Sequence, residues 1–299
     1  MKTIYISFGP TGVGKSAIFN LFNLNSKNSV DCLVDDLVMK SLYYNKKVKS
    51  YIQNNFINQL NKLQIPLNKS NYNKRSLLFI KKRETIDKLN TFYFDARKKH
   101  NCDNNLNRVS NKSKTSKKPY SKIRNCDKIN DTKLENAIHS TKKHIVLEST
   151  GEYFPEWLFN EQDFPNIKKF KIVLIWFVAP IKNLIDRNIN RSIKMMLEYI
   201  YYDEKSKCYK INESNQPPRL PEINKRIYKE KLSRIIKTFN NKEAIINKLK
   251  NKGYHIDVKI FNNPNKKSHI KFIKNNKKTM SNYYLKKVTK KVTKKVTKK

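Results

Sequence analysis

The residues with the clearest chemistry form a glycine-rich segment near the N-terminus. The chain of 299 residues has only five glycines, and three of them fall within six positions. The segment matches the pattern GxxxxGK[ST] in full, as Gly9-Pro10-Thr11-Gly12-Val13-Gly14-Lys15-Ser16. Glycines let successive backbone N–H groups point at phosphate oxygens, the lysine neutralises the β- and γ-phosphates, and the serine hydroxyl ligates Mg²⁺. The segment therefore predicts a binding site for the phosphates of a nucleotide.

Acidic residues follow two of the apolar segments that read as strands. Asp35 and Asp36 come at the end of the second, where a carboxylate can accept the proton of an attacking hydroxyl. Glu148 ends the third in the place of an acid that orders Mg²⁺, and Thr150 follows it at a turn that could line an acceptor pocket. The alternatives are an Asp pair that caps the next helix and an ordinary strand-to-helix turn.

Arginine is scarce among the basic residues, which makes its positions informative. Arg187 and Arg191 are spaced i,i+4 on a predicted helix, so both guanidinium groups lie on one face. Such a pair can clamp a transferring phosphoryl group, and Arg219, in a proline-rich segment, is a candidate third contact on a lid. The alternatives are a solvated helix face and a surface turn.

Two large classes of nucleotide-binding protein are disfavoured. No Asn-Lys pair is followed by Asp in the order that specifies guanine in GTPases, and the remaining glycines are too few for the signature of transporter ATPases. The phosphotransferase branch is therefore favoured.

Short apolar segments predict the elements that position these residues. Five of them read as strands buried on both faces: Ile4–Phe8, Val30–Val34, His144–Glu148, Ile172–Val178 and His255–Phe261. Helical patterns separate them, and Gly253 stands where a helix C-cap is expected before the last strand. The alternation predicts an α/β fold around a five-stranded, mostly parallel sheet. Together with the segment Gly9–Ser16, which has the form of a P-loop, it leads us to expect a P-loop kinase-like three-layer sandwich.

The predicted organisation is a P-loop kinase domain over residues 1–261 with two additions. The first is a helical insertion at 37–142, in which the polar, basic stretch 101–131 is expected to be disordered or loose. The second is a tail at 262–299, which carries 14 lysines, no acidic residue and three KKVT repeats. Because like charges repel and Val and Thr form helices poorly, we expect the tail to be disordered when alone.

The net charge of +41 has two explanations. It attracts polyanions such as nucleic acid, but an AT-biased genome also enriches Lys and Asn without selection for binding. The four cysteines form no close pair, which predicts neither a zinc site nor a disulfide framework, and favours an intracellular, cytoplasmic protein. The lysine-rich tail leaves nuclear import open. No apolar run approaches the length of a membrane span.

Taken in order, these segments resemble the zeta-toxin-like branch of small-molecule P-loop kinases. The resemblance covers roughly residues 1–36 and 143–261. It rests on the P-loop, on Asp35 with Asp36 as a close second, on the Glu148-x-Thr150 turn, on Phe177 to Arg191, and on Arg219-Leu220-Pro221. The chain departs from the family in its long insertion and in having Gly151-Glu152 where many members have Arg.

The resemblance implies an ATP-dependent kinase with Mg²⁺, in which the carboxylate base deprotonates an acceptor hydroxyl that attacks the γ-phosphate. Bacterial members phosphorylate a UDP-amino-sugar and are paired with an antitoxin. For this chain the sequence predicts transfer from ATP to a small-molecule or nucleotide-type acceptor. The alternative is a nucleic-acid-binding P-loop protein, or a polynucleotide kinase whose tail holds the substrate. The oligomeric state is not predicted.

Overall fold

The computed structural model describes residues 1–63, 69–102, 125–140, 142–263, 271–272 and 284. The KKVT repeats and most of the basic stretch at 101–131 lie outside the described residues. Within the described residues, no helix is long and apolar enough to cross a membrane.

The centre of the molecule is a sheet with five parallel strands. They are β1 (Thr3–Phe8), β2 (Ser29–Cys32), β3 (His144–Ser149), β4 (Lys171–Val178) and β7 (His255–Asn262). Their spatial order is β2-β3-β1-β4-β7, and the two-residue strand β8 (Lys271–Phe272) adds an antiparallel edge beside β7. The predicted five-stranded parallel sheet is confirmed, and β8 was not predicted.

The central strands are apolar throughout because both faces are covered by helices. In β4, every residue from Ile172 to Val178 is at most 3% exposed. The register places Ile6 of β1 opposite Leu147 of β3 on one side and Leu174 of β4 on the other. Burial on two faces explains why these strands read as continuous apolar runs rather than alternating ones.

Helices cover this sheet and form its connections. A short 3₁₀ turn, Lys15–Ala17, leads into α1 (Ile18–Leu21) after the P-loop. The C-terminal half contributes α8 (Ile181–Tyr199) and α9 (Lys225–Asn251), as well as 3₁₀ turns at Glu156–Phe159 and Ile167–Lys169. Gly253 ends α9 with a φ of +87°, as the sequence predicted for a C-cap.

The segment between β2 and β3 is largely helical. Its helices are α2 (Val34–Lys40), α3 (Leu42–Ile52), α4 (Asn58–Lys62), α5 (Lys69–Lys81), α6 (Arg83–Lys98) and α7 (Cys126–Ser140), with a wider π-type turn at Gln53–Ile57 between α3 and α4. They enclose a second apolar core that also includes residues of α8 and of the hairpin β5 (Ile200–Asp203) and β6 (Cys208–Ile211). The insertion is thus packed against the end of α8 rather than projecting from the sheet.

Two expectations about the insertion are wrong. Cys102 and Cys126 form a disulfide, although their wide spacing predicted no disulfide framework. Residues 126–131, expected to be loose, instead form the first turns of α7, where Asp127 pairs with Arg97 of α6 at 2.5 Å. Contacts with a helix that is distant in sequence supply the stability that the polar composition lacks.

The tail, expected to be disordered when alone, is ordered against the rest of the protein at three described positions. Lys271 and Phe272 form β8. Tyr284 is fully buried in the core of the sheet domain, and its hydroxyl donates a hydrogen bond to the carbonyl oxygen of Phe177 at 3.1 Å. A single large apolar side chain with a satisfied hydroxyl can anchor an otherwise basic segment.

Candidate active site

The glycine-rich segment folds as a cradle at the carboxyl end of β1. Gly12 and Gly14 have φ values of +86° and +87°, in the region that favours glycine. A Cβ on Gly12 would come within 2.5 Å of the Oδ1 of Asn188, and a Cβ on Gly14 within 2.5 Å of the Nδ2 of Asn263. Both glycines are therefore required by conformation and by space.

Three side chains from distant elements hold this P-loop in place. Asn263, directly after β7, donates its Nδ2 to the carbonyl oxygen of Val13 at 2.8 Å. Tyr228 of α9 donates its hydroxyl to the carbonyl oxygen of Thr11. Arg187 donates to the carbonyl oxygen of Gly12 at 3.2 Å and to that of Asn263 at 2.9 Å. The loop is thus supported through its carbonyl groups, which leaves N–H groups to face a ligand.

The two reactive side chains of the P-loop have different environments. The Nζ of Lys15 donates to the carbonyl oxygen of Gly9 at 3.0 Å. Burial lowers the pKa of Lys15, and the negative charges of Glu148 and Asp35 only partly oppose that shift. Ser16 is exposed in the 3₁₀ turn. Because α1 has only four residues, its dipole is short, and the N–H groups of the loop are the main groups that could bind an anion here.

Asp35 lies in the first turn of α2, because β2 ends at Cys32, two residues earlier than predicted. Its Oδ2 accepts a hydrogen bond from Arg219, and its Oδ1 accepts one from the hydroxyl of Tyr93. Burial raises the pKa of Asp35, but Arg219, Tyr93 and Lys15 together hold the pKa below its ordinary value. The carboxylate is therefore ionised and has both oxygens oriented.

Asp36 also lies in the first turn of α2, but its side chain is exposed. Among the described residues it has no hydrogen bond or ion pair, although its charge acts on Glu148. The sequence left the choice between the two aspartates open. The geometry distinguishes the two, because only the carboxylate of Asp35 is held in a set orientation.

Glu148 is the residue before the last of β3. It lies opposite Ser7 of β1, the strand that leads into the P-loop. The Glu148 side chain is exposed, yet neighbouring groups remove enough water from its carboxylate to raise its pKa. Lys15 opposes that shift, and the nearby charges of Asp35 and Asp36 add to it. Thr150 is exposed beyond the strand, and its Oγ1 accepts the N–H of Glu152 at 3.5 Å. The structure thus brings Glu148 to the P-loop, while Thr150 stays at the turn.

The three arginines have separate environments. Arg187 is occupied by the carbonyl groups of the P-loop and Asn263, which makes it a support for the loop. Arg191 is exposed and has no hydrogen bond or ion pair within the described chain, while its charge reaches both Lys15 and Glu148. Arg219 is paired with Asp35. Contact with a phosphoryl group therefore remains a prediction that fits Arg191 best.

The residues that sequence reasoning missed are the aromatic and amide side chains around this set. Tyr93 contacts Asp35, and Tyr228 and Asn263 hold the P-loop. They come from α6, from α9 and from the end of β7, far from the motif in the chain. No spacing rule connects them to it, so only their packing reveals the role.

Two side chains of this site could ligate a divalent cation. The hydroxyl of Ser16 and the carboxylate of Glu148 are the oxygen groups that Mg²⁺ prefers, and Mg²⁺ commonly uses few protein ligands plus substrate phosphates. Among the described residues no group of three or more His, Cys, Asp or Glu could hold a metal. The donor set therefore fits a cation that is held partly by a nucleotide.

Comparisons with known proteins are sparse. No family model and no curated protein matches the chain. Among solved structures, the chain is similar to one from the molecular and structural characterization of the PezAT chromosomal toxin–antitoxin system of the human pathogen Streptococcus pneumoniae. The match has 11% identity and a TM-score of 0.41, and it covers 96% of this chain and 80% of that one. At these values the similarity assigns neither a reaction nor a substrate.

Proposed function

We propose that the protein is an ATP-dependent phosphotransferase, a zeta-toxin-like kinase that moves the γ-phosphate of ATP to a hydroxyl of a small-molecule or nucleotide-type acceptor. One observation carries the proposal. Beside the P-loop, the charges of Glu148, Asp35 and Arg191 all act on Lys15, and hydrogen bonds from Arg219 and Tyr93 orient the carboxylate of Asp35. A phosphate cradle next to an ionised carboxylate is the arrangement that hydroxyl phosphorylation requires.

The residues present fit ATP with Mg²⁺. A side chain at Gly12 or Gly14 would collide with Asn188 or Asn263, so these positions present bare backbone, and Lys15 and Ser16 stand at the end of the loop. Ser16 and Glu148 would hold the cation. When bound, Mg²⁺ neutralises the charge that develops on the β- and γ-phosphates.

Each of the chain's own residues then has a defined task. Asp35 accepts the proton of the acceptor hydroxyl as that oxygen forms its bond to the γ-phosphorus and the bond to the bridging oxygen breaks. Lys15 exchanges its internal bond to Gly9 for phosphate oxygens. Arg191, exposed and unpaired among the described residues, supplies positive charge to the transferring group.

The test is transfer from γ-labelled ATP to a panel of sugars, nucleosides and oligonucleotides. We expect one class of acceptor to be labelled, Lys15→Ala to abolish labelling, and the exposed Lys194→Ala to retain it as a matched control. Asp35→Asn should lower transfer at least about 100-fold while ATP binding persists, and Asp36→Asn should lower it less than about tenfold. ATP binding by the wild type without transfer to any acceptor, or full transfer by Asp35→Asn, would contradict the proposal.

A second function, nucleic-acid binding through the basic tail, is favoured by one contact. Tyr284 is buried, and its hydroxyl donates to the carbonyl oxygen of Phe177. That oxygen lies close to the start of the P-loop, since a Cβ on Gly9 would come within 2.9 Å of it. Residues 286–299, which follow Tyr284 in the sequence, carry eight lysines. A polynucleotide acceptor would then be attracted close to the P-loop. Lys15→Ala should leave such binding intact, which separates binding from transfer.

A further inference from the structure

Tyr93 connects the helical insertion to the candidate base. It lies on α6, is 4% exposed, and donates its hydroxyl to the Oδ1 of Asp35. The guanidinium carbon of Arg219 lies 4.2 Å from the centre of the same ring, while Arg219 donates to the Oδ2 of Asp35. One side chain therefore contacts both members of the ion pair, through its edge and through its face.

Other contacts fix α6 relative to this pair. Tyr44 of α3 packs edge-on against the ring of Tyr93 at 6.3 Å and donates its hydroxyl to the carbonyl oxygen of Pro218, next to Arg219. At the start of α6, Arg83 pairs with the buried Glu222 at 2.8 Å. The carbonyl oxygen of Glu222 accepts a bond from Asn188, the residue that contacts Gly12. The insertion is thus joined to the segment carrying Arg219, and through it to the P-loop.

The arrangement leaves Asp35 little rotational freedom. A carboxylate that accepts one donor on each oxygen has a fixed plane and still keeps a lone pair on each oxygen for a further proton. Without the Tyr93 hydroxyl, only Arg219 would donate a hydrogen bond to the Asp35 carboxylate. The ring that packs against Arg219 would then have no hydrogen bond to Asp35. The ring of Tyr93 thus holds Arg219 by a cation–π contact, and its hydroxyl holds Asp35 by a hydrogen bond.

We infer that Tyr93 is a positioning residue of the active site: the insertion supplies the hydroxyl that orients Asp35 and the ring that holds Arg219 against it. Its importance for transfer rests on the proposed function, in which Asp35 is the base. The orientation of the Asp35 carboxylate by Tyr93 does not depend on the proposed function, because it is a property of the protein without any substrate.

The charged and titratable groups that act on Asp35 come from five parts of the chain. They belong to α3, α6, the P-loop, β3 and the Arg219 segment, and they are Tyr44, Tyr93, Arg97, Lys15, Glu148 and Arg219. Only Tyr93 and Arg219 donate hydrogen bonds to its carboxylate among the described residues. Removal of one hydroxyl therefore changes one of two donors and no formal charge.

The experiment is a titration by ¹³C NMR of the full chain labelled at the aspartate carboxyl carbons, with Asp35→Asn to assign the Asp35 signal. In the wild type we expect the midpoint of Asp35 to lie below that of an ordinary aspartate. In Tyr93→Phe, its midpoint should rise by about one pH unit, because one hydrogen bond to the charged form is lost. Tyr72→Phe is the matched control, since Tyr72 is buried and donates to the carbonyl oxygen of Met196 at 3.1 Å.

An Asp35 midpoint that is unchanged in Tyr93→Phe would overturn the inference. If that variant does not fold, the reciprocal measurement decides: the hydroxyl proton of Tyr93 should exchange slowly with solvent in the wild type and faster in Asp35→Asn. Equal exchange in the two would also overturn it. Absence of transfer to any acceptor would remove the proposed kinase function but would leave both measurements as they are, so the two proposals fail separately.

Discussion

A comparison of alanine substitutions at Gly14 and Gly253 separates the steric role of a P-loop glycine from the free-energy cost of its backbone conformation. Both residues have a φ of +87°, so alanine at either position meets the same backbone penalty of about 1–2 kcal/mol. A Cβ on Gly253 has nothing within 4 Å, whereas a Cβ on Gly14 comes within 2.5 Å of the Nδ2 of Asn263. Gly253→Ala is therefore a matched control for Gly14→Ala.

The additional cost at Gly14 follows from what Asn263 would have to give up. Its side chain is 3% exposed, and its Nδ2 donates to the carbonyl oxygen of Val13 at 2.8 Å. Moving the amide away leaves a buried carbonyl group without its donor, at a cost of about 1–3 kcal/mol. We expect Gly14→Ala to lose about 2–5 kcal/mol in total and Gly253→Ala about 1–2 kcal/mol.

The assay is chemical unfolding of both variants, followed by thermal unfolding with and without ATP and Mg²⁺. A ligand at 100 times its Kd stabilises a folded protein by about 2.7 kcal/mol, which is readily seen as a shift in Tm. Gly253→Ala should keep that shift and Gly14→Ala should lose it. Equal destabilisation of the two variants, or an unchanged shift in Gly14→Ala, would refute the steric reasoning.

Three further predictions concern the base, the tail and the disulfide. Asp35→Asn should lower transfer at least 100-fold with unchanged ATP affinity, measured by single-turnover kinetics, because general base catalysis contributes about 10²–10⁴-fold; Asp36→Asn should lower it less than tenfold. Removal of residues 286–299, which keeps Tyr284, should weaken oligonucleotide binding at low salt and reduce its salt dependence. Titrations at several salt concentrations measure both effects. The ATP-induced shift in Tm should not change. Replacement of Cys102 and Cys126 by serine should cost about 3 kcal/mol of stability in urea, since the disulfide closes a loop with a sequence separation of 24; full stability under reducing conditions would contradict a structural role.

Much of the fold could be predicted because its determinants are local. The continuous apolar runs at Ile172–Val178 and His255–Phe261 identify buried strands without any knowledge of their neighbours. Val34 shows the limit: it is apolar and follows β2, yet it begins α2, because an apolar residue at a helix start and at a strand end look alike in sequence. That shift moves Asp35 from a strand end to a helical turn.

What the sequence by itself determined is the glycine-rich loop, because its glycines are specified by backbone conformation and by spacing within eight residues. The tertiary structure alone decided which groups surround that loop. Arg187 donates to the carbonyl groups of the loop, the carboxylate of Asp35 rather than that of Asp36 is oriented, and Tyr93 joins the site from the insertion. Hydrogen bonds between residues 58 or 184 positions apart leave no periodic trace in a sequence, because only packing brings their atoms within reach.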